Sequence, residues 1–268
     1  MSWCFKPAGY GVLSILLLSS SLLTAQSKPL LCDDFDNGTV QDAGNGQTSY
    51  WRPSGKVTEF ESKLTLHAID RPYSKTAISS PLEKRVSFFK QPVAISITGI
   101  SIQTSPGINP KQTQIRFGFR DRNNWTFRNT VDALMVNIVG DGRVIVAWKV
   151  GKKQLDPENG NRLIFKNLDM THGPVTAVEF AVDGTGDTIA WSLAINQSDH
   201  LTELAGVIGE MDTKTIREGW NAKGHKAVIT TEVQGRLGDD FKDKFVLLNV
   251  DQCCISTADT AADNTTAK

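Results

Sequence analysis

The chain has 268 residues, 40% of them hydrophobic, with 29 basic and 29 acidic side chains that cancel to zero formal charge. That hydrophobic share supports a sizeable core and excludes a wholly disordered chain. Zero net charge supplies no field that draws in nucleic acid or an anionic membrane, so neither is expected as a partner.

Residues 1–27 carry Lys6, an apolar run over 11–23, and then small and polar residues, the pattern of an export signal. The run falls short of the ~18 residues a spanning helix needs, so no stable membrane insertion is expected after cleavage. The expected location is therefore secreted, periplasmic or cell-surface. Signal removal takes Cys4 and leaves Cys32, Cys253 and Cys254. In an oxidising compartment a bridge from Cys32 to either Cys253 or Cys254 would tie the two ends of the domain together, with one thiol left over. A zinc site built on the three thiols is the weaker alternative, because no His lies nearby in sequence.

Short runs with period-two alternation, rich in branched and aromatic residues, follow in order: KLTLHA, VAISITGISIQT, QIRFGFRD, ALMVNIV, RVIVAWKV, RLIFKNL, AVEFAVD, TIAWSLAIN, AVITTEV and KFVLLNVD. Each predicts a strand. Gly140–Gly142 and the DGTGD stretch from Asp183 to Asp187 are hairpin turn signals, which favour antiparallel hairpins over crossover helices. One short helix is predicted over 199–210, where Leu201, Leu204 and Ile208 fall at helical spacing. The fold class is all-β: a two-sheet antiparallel β-sandwich over 28–255 with one or two short helices, and a tail over 256–268 that lacks large apolar residues and is expected to be disordered.

Alternation also assigns faces. Ile115, Phe117 and Phe119 point one way and Arg116 and Arg120 the other, so the first row is expected in the core and the arginines toward water or a ligand. Leu134, Val136 and Ile138 oppose Met135 and Asn137 in the same manner. Val178, Phe180 and Val182 form a third inward row.

The opening DDFDNG, the Trp in YWRPSG, the ESKLTLHA strand and the closing KFVLLNVDQ strand together resemble the concanavalin A-like lectin and glucanase superfamily, including laminin-G-like jelly rolls. The resemblance implies a jelly roll whose first and last strands pair, which would bring Cys32 near Cys253 and Cys254. It also implies a glycan or polysaccharide as partner, held on one concave sheet. Fold alone does not license that function.

The Glu-x-Asp-x-x-Glu strand of the β-glucan-cleaving members does not occur in this chain. Glu59 and Glu61 are its nearest approach, and their place in a connection favours solvated edge charges. Lyase chemistry would need Arg116, Arg120, His67 and Tyr73 to converge. A binding groove is more readily built, because a sugar asks for aromatic plates beside polar donors and acceptors. The stretch over 116–128 concentrates Arg116, Arg120 and Trp125 with two Asn residues, and Asn137 is expected on the same face, with Trp51 and Trp220 flanking it from loops. Trp148 and Trp191 sit in apolar strands and are expected in the core. No organic cofactor is expected; the resemblance implies a structural calcium, for which Asp33, Asp34 and Asp36 are the densest acidic cluster. The expected function is carbohydrate binding or cell-surface recognition, with a polysaccharide-degrading enzyme and a ligand-free structural envelope protein as alternatives.

Overall fold

The computed structural model describes residues 27–38, 40, 51–69, 75–81, 87–120, 133–150, 153–154, 162–219, 226–233 and 244–258. The predicted signal up to residue 26, Tyr73, Trp125, Trp220 and the tail beyond Ala258 lie outside them.

Eighteen strands, in chain order, are β1 (Ser27–Asp33), β2 (Arg52–Ser54), β3 (Lys56–Phe60), β4 (Lys63–Ile69), β5 (Lys75–Pro81), β6 (Val93–Thr98), β7 (Ser101–Thr104), β8 (Thr113–Arg120), β9 (Ala133–Val139), β10 (Arg143–Val150), β11 (Lys153–Gln154), β12 (Arg162–Asn167), β13 (Val175–Asp183), β14 (Ile189–Gln197), β15 (Leu201–Ile208), β16 (Lys226–Val233), β17 (Phe245–Val250) and β18 (Gln252–Ala258). They form a six-stranded sheet A in the order β1-β18-β6-β13-β14-β15, and an eight-stranded sheet B in the order β11-β10-β9-β8-β16-β5-β2 with β12 beside β10. A four-stranded sheet C, β3-β4-β17-β7, adds a smaller third sheet. Hairpins and neighbouring pairs are antiparallel throughout the described residues, as the turn signals at Gly140–Gly142 and Asp183–Asp187 require.

The main core fills the space between the sheets, and the three predicted inward rows line it: Ile115, Phe117 and Phe119; Leu134, Val136 and Ile138; Val178, Phe180 and Val182. Phe180 of sheet A meets Phe117 and Phe119 of sheet B at ring-centroid separations of 6.3 and 6.2 Å. Trp148 and Trp191 belong to this core as expected.

Several expectations are corrected. The segment read as a helix is β15, which pairs β14 residue for residue from Leu201 to Ile208. Its apolar residues satisfy helical spacing, but partnership with β14 decides the conformation. Gly206 then lies under the Trp191 indole, where a Cβ would come within 2.4 Å of the ring. The α-helix, α1, is the next segment, Glu210–Gly219, with Ile216 as its buried apolar anchor. Polar contacts secure it: the Thr213 hydroxyl accepts from Ile189 N–H at 3.1 Å, and Arg217 donates to the Gly184 carbonyl at 2.9 Å. VAISITGISIQT is two strands in different sheets. It breaks at Gly99, whose φ of 65° favours glycine and whose missing Cβ leaves room for Asp251.

The closing strand is also not KFVLLNVDQ. That run is β17, in sheet C, while β18 pairs with β1 and extends through Ala258, into the start of the expected tail. Cys32 lies opposite Cys254 in this pairing and the two form the disulfide; Cys253, next to it, faces the core as a buried thiol. Successive side chains alternate faces along a strand, which is why Cys254 and not Cys253 meets Cys32. A bridge that spans 222 residues removes much freedom from the unfolded chain. Replacement of either partner, Cys32→Ser or Cys254→Ser, is expected to lower unfolding free energy by about 2–5 kcal/mol in urea titrations. Cys253→Ala, which keeps the bridge, should lose markedly less.

Candidate functional site

The outer face of sheet B, turned away from the core, carries the predicted residues. Strand β8 contributes Gln114, Arg116, Gly118 and Arg120 to it by alternation, and each has a cross-strand neighbour on β9: Val139, Asn137, Met135 and Ala133. Asn137 is thus the direct partner of Arg116, with Thr230 on the other side in β16. Gly118 leaves the middle of the row without a side chain; a Cβ there would meet the Leu134 carbonyl at 2.3 Å and the Met135 sulfur at 3.1 Å.

The arginines, expected toward water or a ligand, take the outer face but do not meet bulk water. Arg116 is 7% exposed and Arg120 2% exposed, and every residue of β8 is buried. Period-two alternation tells which face a side chain takes, and β8 lies in the middle of a wide sheet, between β9 and β16. The arginines lie buried within that face and do not stand out as a ridge. Arg116 donates through Nη2 to the Gln114 side-chain carbonyl at 3.3 Å. Gln114 is itself only 2% exposed, and its side-chain amide nitrogen has no hydrogen-bond partner; the Asn137 side-chain carbonyl oxygen, on the next strand, likewise has none. A buried polar group without a partner is costly, about 1–3 kcal/mol. That face therefore presents a buried guanidinium flanked by one unmet donor and one unmet acceptor.

Gln114 was not among the residues singled out from sequence, although it begins QIRFGFRD two positions before Arg116 on the same face. That spacing was the available signal. Trp51 does not flank a groove: it is fully buried in the core. Glu59 and Glu61 do not form a pair on one strand face, because β3 ends at Phe60 and Glu61 adopts φ 52° in the turn to β4. Glu59 instead accepts from Gly38 N–H at 2.7 Å. His67 lies on β4 of sheet C, where its Nε2 meets the Thr58 hydroxyl at 2.9 Å. Burial and the nearby Lys56 charge hold its pKa down. It stands on a different sheet from the arginines, so the described residues do not assemble the lyase set.

The calcium expectation meets a poor fit. Asp33 turns inward and is 1% exposed, while Asp34 and Asp36 stay at the surface. One Asp33 oxygen accepts from Phe35 N–H at 2.9 Å and closes a local turn. Among the described residues, no group of three His, Cys, Asp or Glu could hold a metal ion.

A separate cleft of about 220 Å³ opens at one end of the sandwich, lined by Ile102, Ile108, Ile138, Leu168, Met170 and Val175 among others. It holds no charged side chain and none of the predicted site residues.

No protein-family model and no curated protein sequence matches the chain. Solved structures do. An endo-acting O-glycanase from the human gut microbiota superposes with a TM-score of 0.54 at 14% identity, over 87% of this chain and 100% of that one. The laminarinase from Flavobacterium sp. UMI-01 gives 0.51 at 13% identity, over 85% and 100%. The CBM2 module of the evolved Dit of Lactobacillus casei BL23 phage J-1 gives 0.51 at 9%, over 87% and 96%. The chain has the concanavalin A-like jelly-roll fold. At these identities the likeness concerns the fold alone.

Burial dominates the electrostatics of Asp33: desolvation pushes its carboxyl up to about 6, the Phe35 N–H opposes this, and the charges of Glu59, Asp34 and Asp36 add to the rise. A carboxyl whose folded pKa lies above its unfolded value holds its proton longer in the native state. Stability therefore falls as pH rises from about 4 to about 6 and levels off above. Asp33→Asn keeps an acceptor for Phe35 and removes the charge. It is expected to stabilise the fold at pH 7, by at most about 3 kcal/mol, and to make no difference at pH 4. Thermal melts of both proteins across that range check this.

Proposed function

We propose that this protein binds a glycan on the outer face of sheet B, with Gln114, Arg116 and Asn137 as the floor of the site and Arg120 beside them. The observation that supports this reading is the unmet pair of the Gln114 amide nitrogen and the Asn137 carbonyl oxygen beside the Arg116 guanidinium. A sugar hydroxyl both donates and accepts, and two neighbouring hydroxyls answer one such pair. The similar folds include glycan-cleaving enzymes and a CBM2 module, which agrees with a glycan-related role. The cleft is lined mainly by apolar side chains, with Thr104 and Thr113 as its polar ones, and suits a sugar less well.

Binding is favoured over hydrolysis on a specific ground. A retaining glycosidase needs two carboxylates roughly 5 Å apart. Along the described strands of sheet B the sequence holds a single acidic residue, Glu232 on β16, at the register position of Gln114. We further propose that the chain works outside the reducing cytoplasm as a secreted or cell-surface protein, which the Cys32–Cys254 bridge supports. Among the described residues, no helix is long and apolar enough to cross a membrane.

A glycan array probed with the purified protein tests the reading, and the absence of any bound glycan would remove it. For a glycan that binds, Gln114→Ala and Asn137→Ala are each expected to weaken affinity about tenfold or more, the worth of one hydrogen bond near a charged group. The melting temperature of Asn137→Ala should hold or rise, because it removes an oxygen that has no partner in the free protein, whereas Gln114→Ala also takes an acceptor from the buried Arg116 and should cost some stability. A loss of fold in both, with unchanged affinity in whatever folds, counts against the site.

A further inference from the structure

The two large sheets differ in the charge along their strands. The described strands of sheet B hold ten basic residues and a single acidic one, Glu232, whereas those of sheet A hold one basic residue, Lys28, and four acidic ones, Asp33, Glu179, Asp183 and Glu203. A chain of zero formal charge thus sorts its charges between its two large sheets. The excess on sheet B reaches the polar row of β8. Lys226 stands at the register position of Arg120 on one side; on the other side Ala133 does, with Lys149 opposite it in β10. Glu232 has Lys75 as its register partner on β5, and Asp141, in the turn before β10, takes up the Arg143 guanidinium at 2.9 Å. Arg116 and Arg120 are buried, so water screens little of the interaction with a charge brought beside them.

We propose that the glycan held on this face is an acidic polymer, whose uronate carboxylates or sulfate esters are recognised by Arg116 and Arg120. The proposal rests on the glycan-binding reading above and adds the charge class. A guanidinium presents planar, forked donors that fit the paired oxygens of a carboxylate or a sulfate. Arg116 gives Nη2 to Gln114, whose own amide nitrogen has no partner. The guanidinium and that amide together offer donors to one acidic group, while the Asn137 oxygen accepts from a hydroxyl of the same sugar. The Cα atoms of Arg116 and Arg120 stand about 13 Å apart along an extended strand. One sugar ring is shorter than that, so a chain of acidic sugars engages both arginines and a single acidic sugar only one. A nucleic acid is an anionic polymer too, but zero net charge gives it no long-range attraction, and the Cys32–Cys254 bridge suits an oxidising compartment.

Binding of the purified protein to immobilised polygalacturonate, dextran sulfate and oligodeoxythymidylate, beside the neutral members of the glycan array, tests this. Polygalacturonate or dextran sulfate is expected to bind at least about tenfold more tightly than any neutral glycan, with an affinity that falls as salt rises. Whichever of the two binds more tightly assigns the acidic group as carboxylate or sulfate. Asn137→Asp sets a carboxylate of nearly the same shape at the register position of Arg116. It supplies an internal counter-charge, should keep the fold, and is expected to weaken acidic-polymer binding by about tenfold or more. Arg116→Gln should weaken it as much, and Arg116→Lys, which keeps the charge, less. Melting curves check folding, and where Arg116→Gln does not fold, Asn137→Asp decides. A neutral glycan bound as tightly as the acidic polymers overturns this proposal and leaves the glycan reading standing; no bound glycan of either kind removes both. Oligodeoxythymidylate bound as tightly, or acidic-polymer binding unchanged in the folded variants, also overturns it, since the attraction is then diffuse charge and not this site.

Discussion

The contact of Phe180 with Phe117 and Phe119 sets the parity of β8, and the site follows from it. Burial of each ring is worth roughly 1.5–3 kcal/mol, and close aromatic pairs add ~0.5–1.5 kcal/mol. A one-residue slip of β8 would turn all three of its core residues outward and bring Gln114, Arg116 and Arg120 into an apolar interior, where an uncompensated charge costs far more than any of these gains. With the parity fixed, the polar row has only the outer face of sheet B to occupy. The site residues stand where they do because the phenylalanines on the other side of the same strand cannot move.

Alternation made most of the strands legible, since it reports the pleat directly. It failed where a second pattern was also satisfied or where a neighbour decided the outcome. Leu201, Leu204 and Ile208 fit a helix as well as an edge strand, and only pairing with β14 excludes the helix. The polar sequence of α1 hides its role, because Ile216 and the Thr213 and Arg217 contacts hold it and not an apolar stripe. The run broken at Gly99 reads as one strand until the chain changes sheet. The faces of β8, β9 and β13 were readable for the opposite reason, since each depends on local alternation alone; which of Cys253 and Cys254 meets Cys32 was not, because it follows from the register of β18 against β1.

Depth was not readable. Period two separates inner from outer faces but does not say whether an outer face meets bulk water, so the arginines were expected exposed and are buried. The same limit applies to Trp51, which sits in a loop-like sequence shortly before Pro53 and Gly55, yet fills the core. Acidic density was equally misleading at the N-terminus. Asp33, Asp34 and Asp36 are close in sequence, but alternation sends Asp33 inward beside the Cys253 thiol and leaves its neighbours outside, so the cluster does not converge on one point.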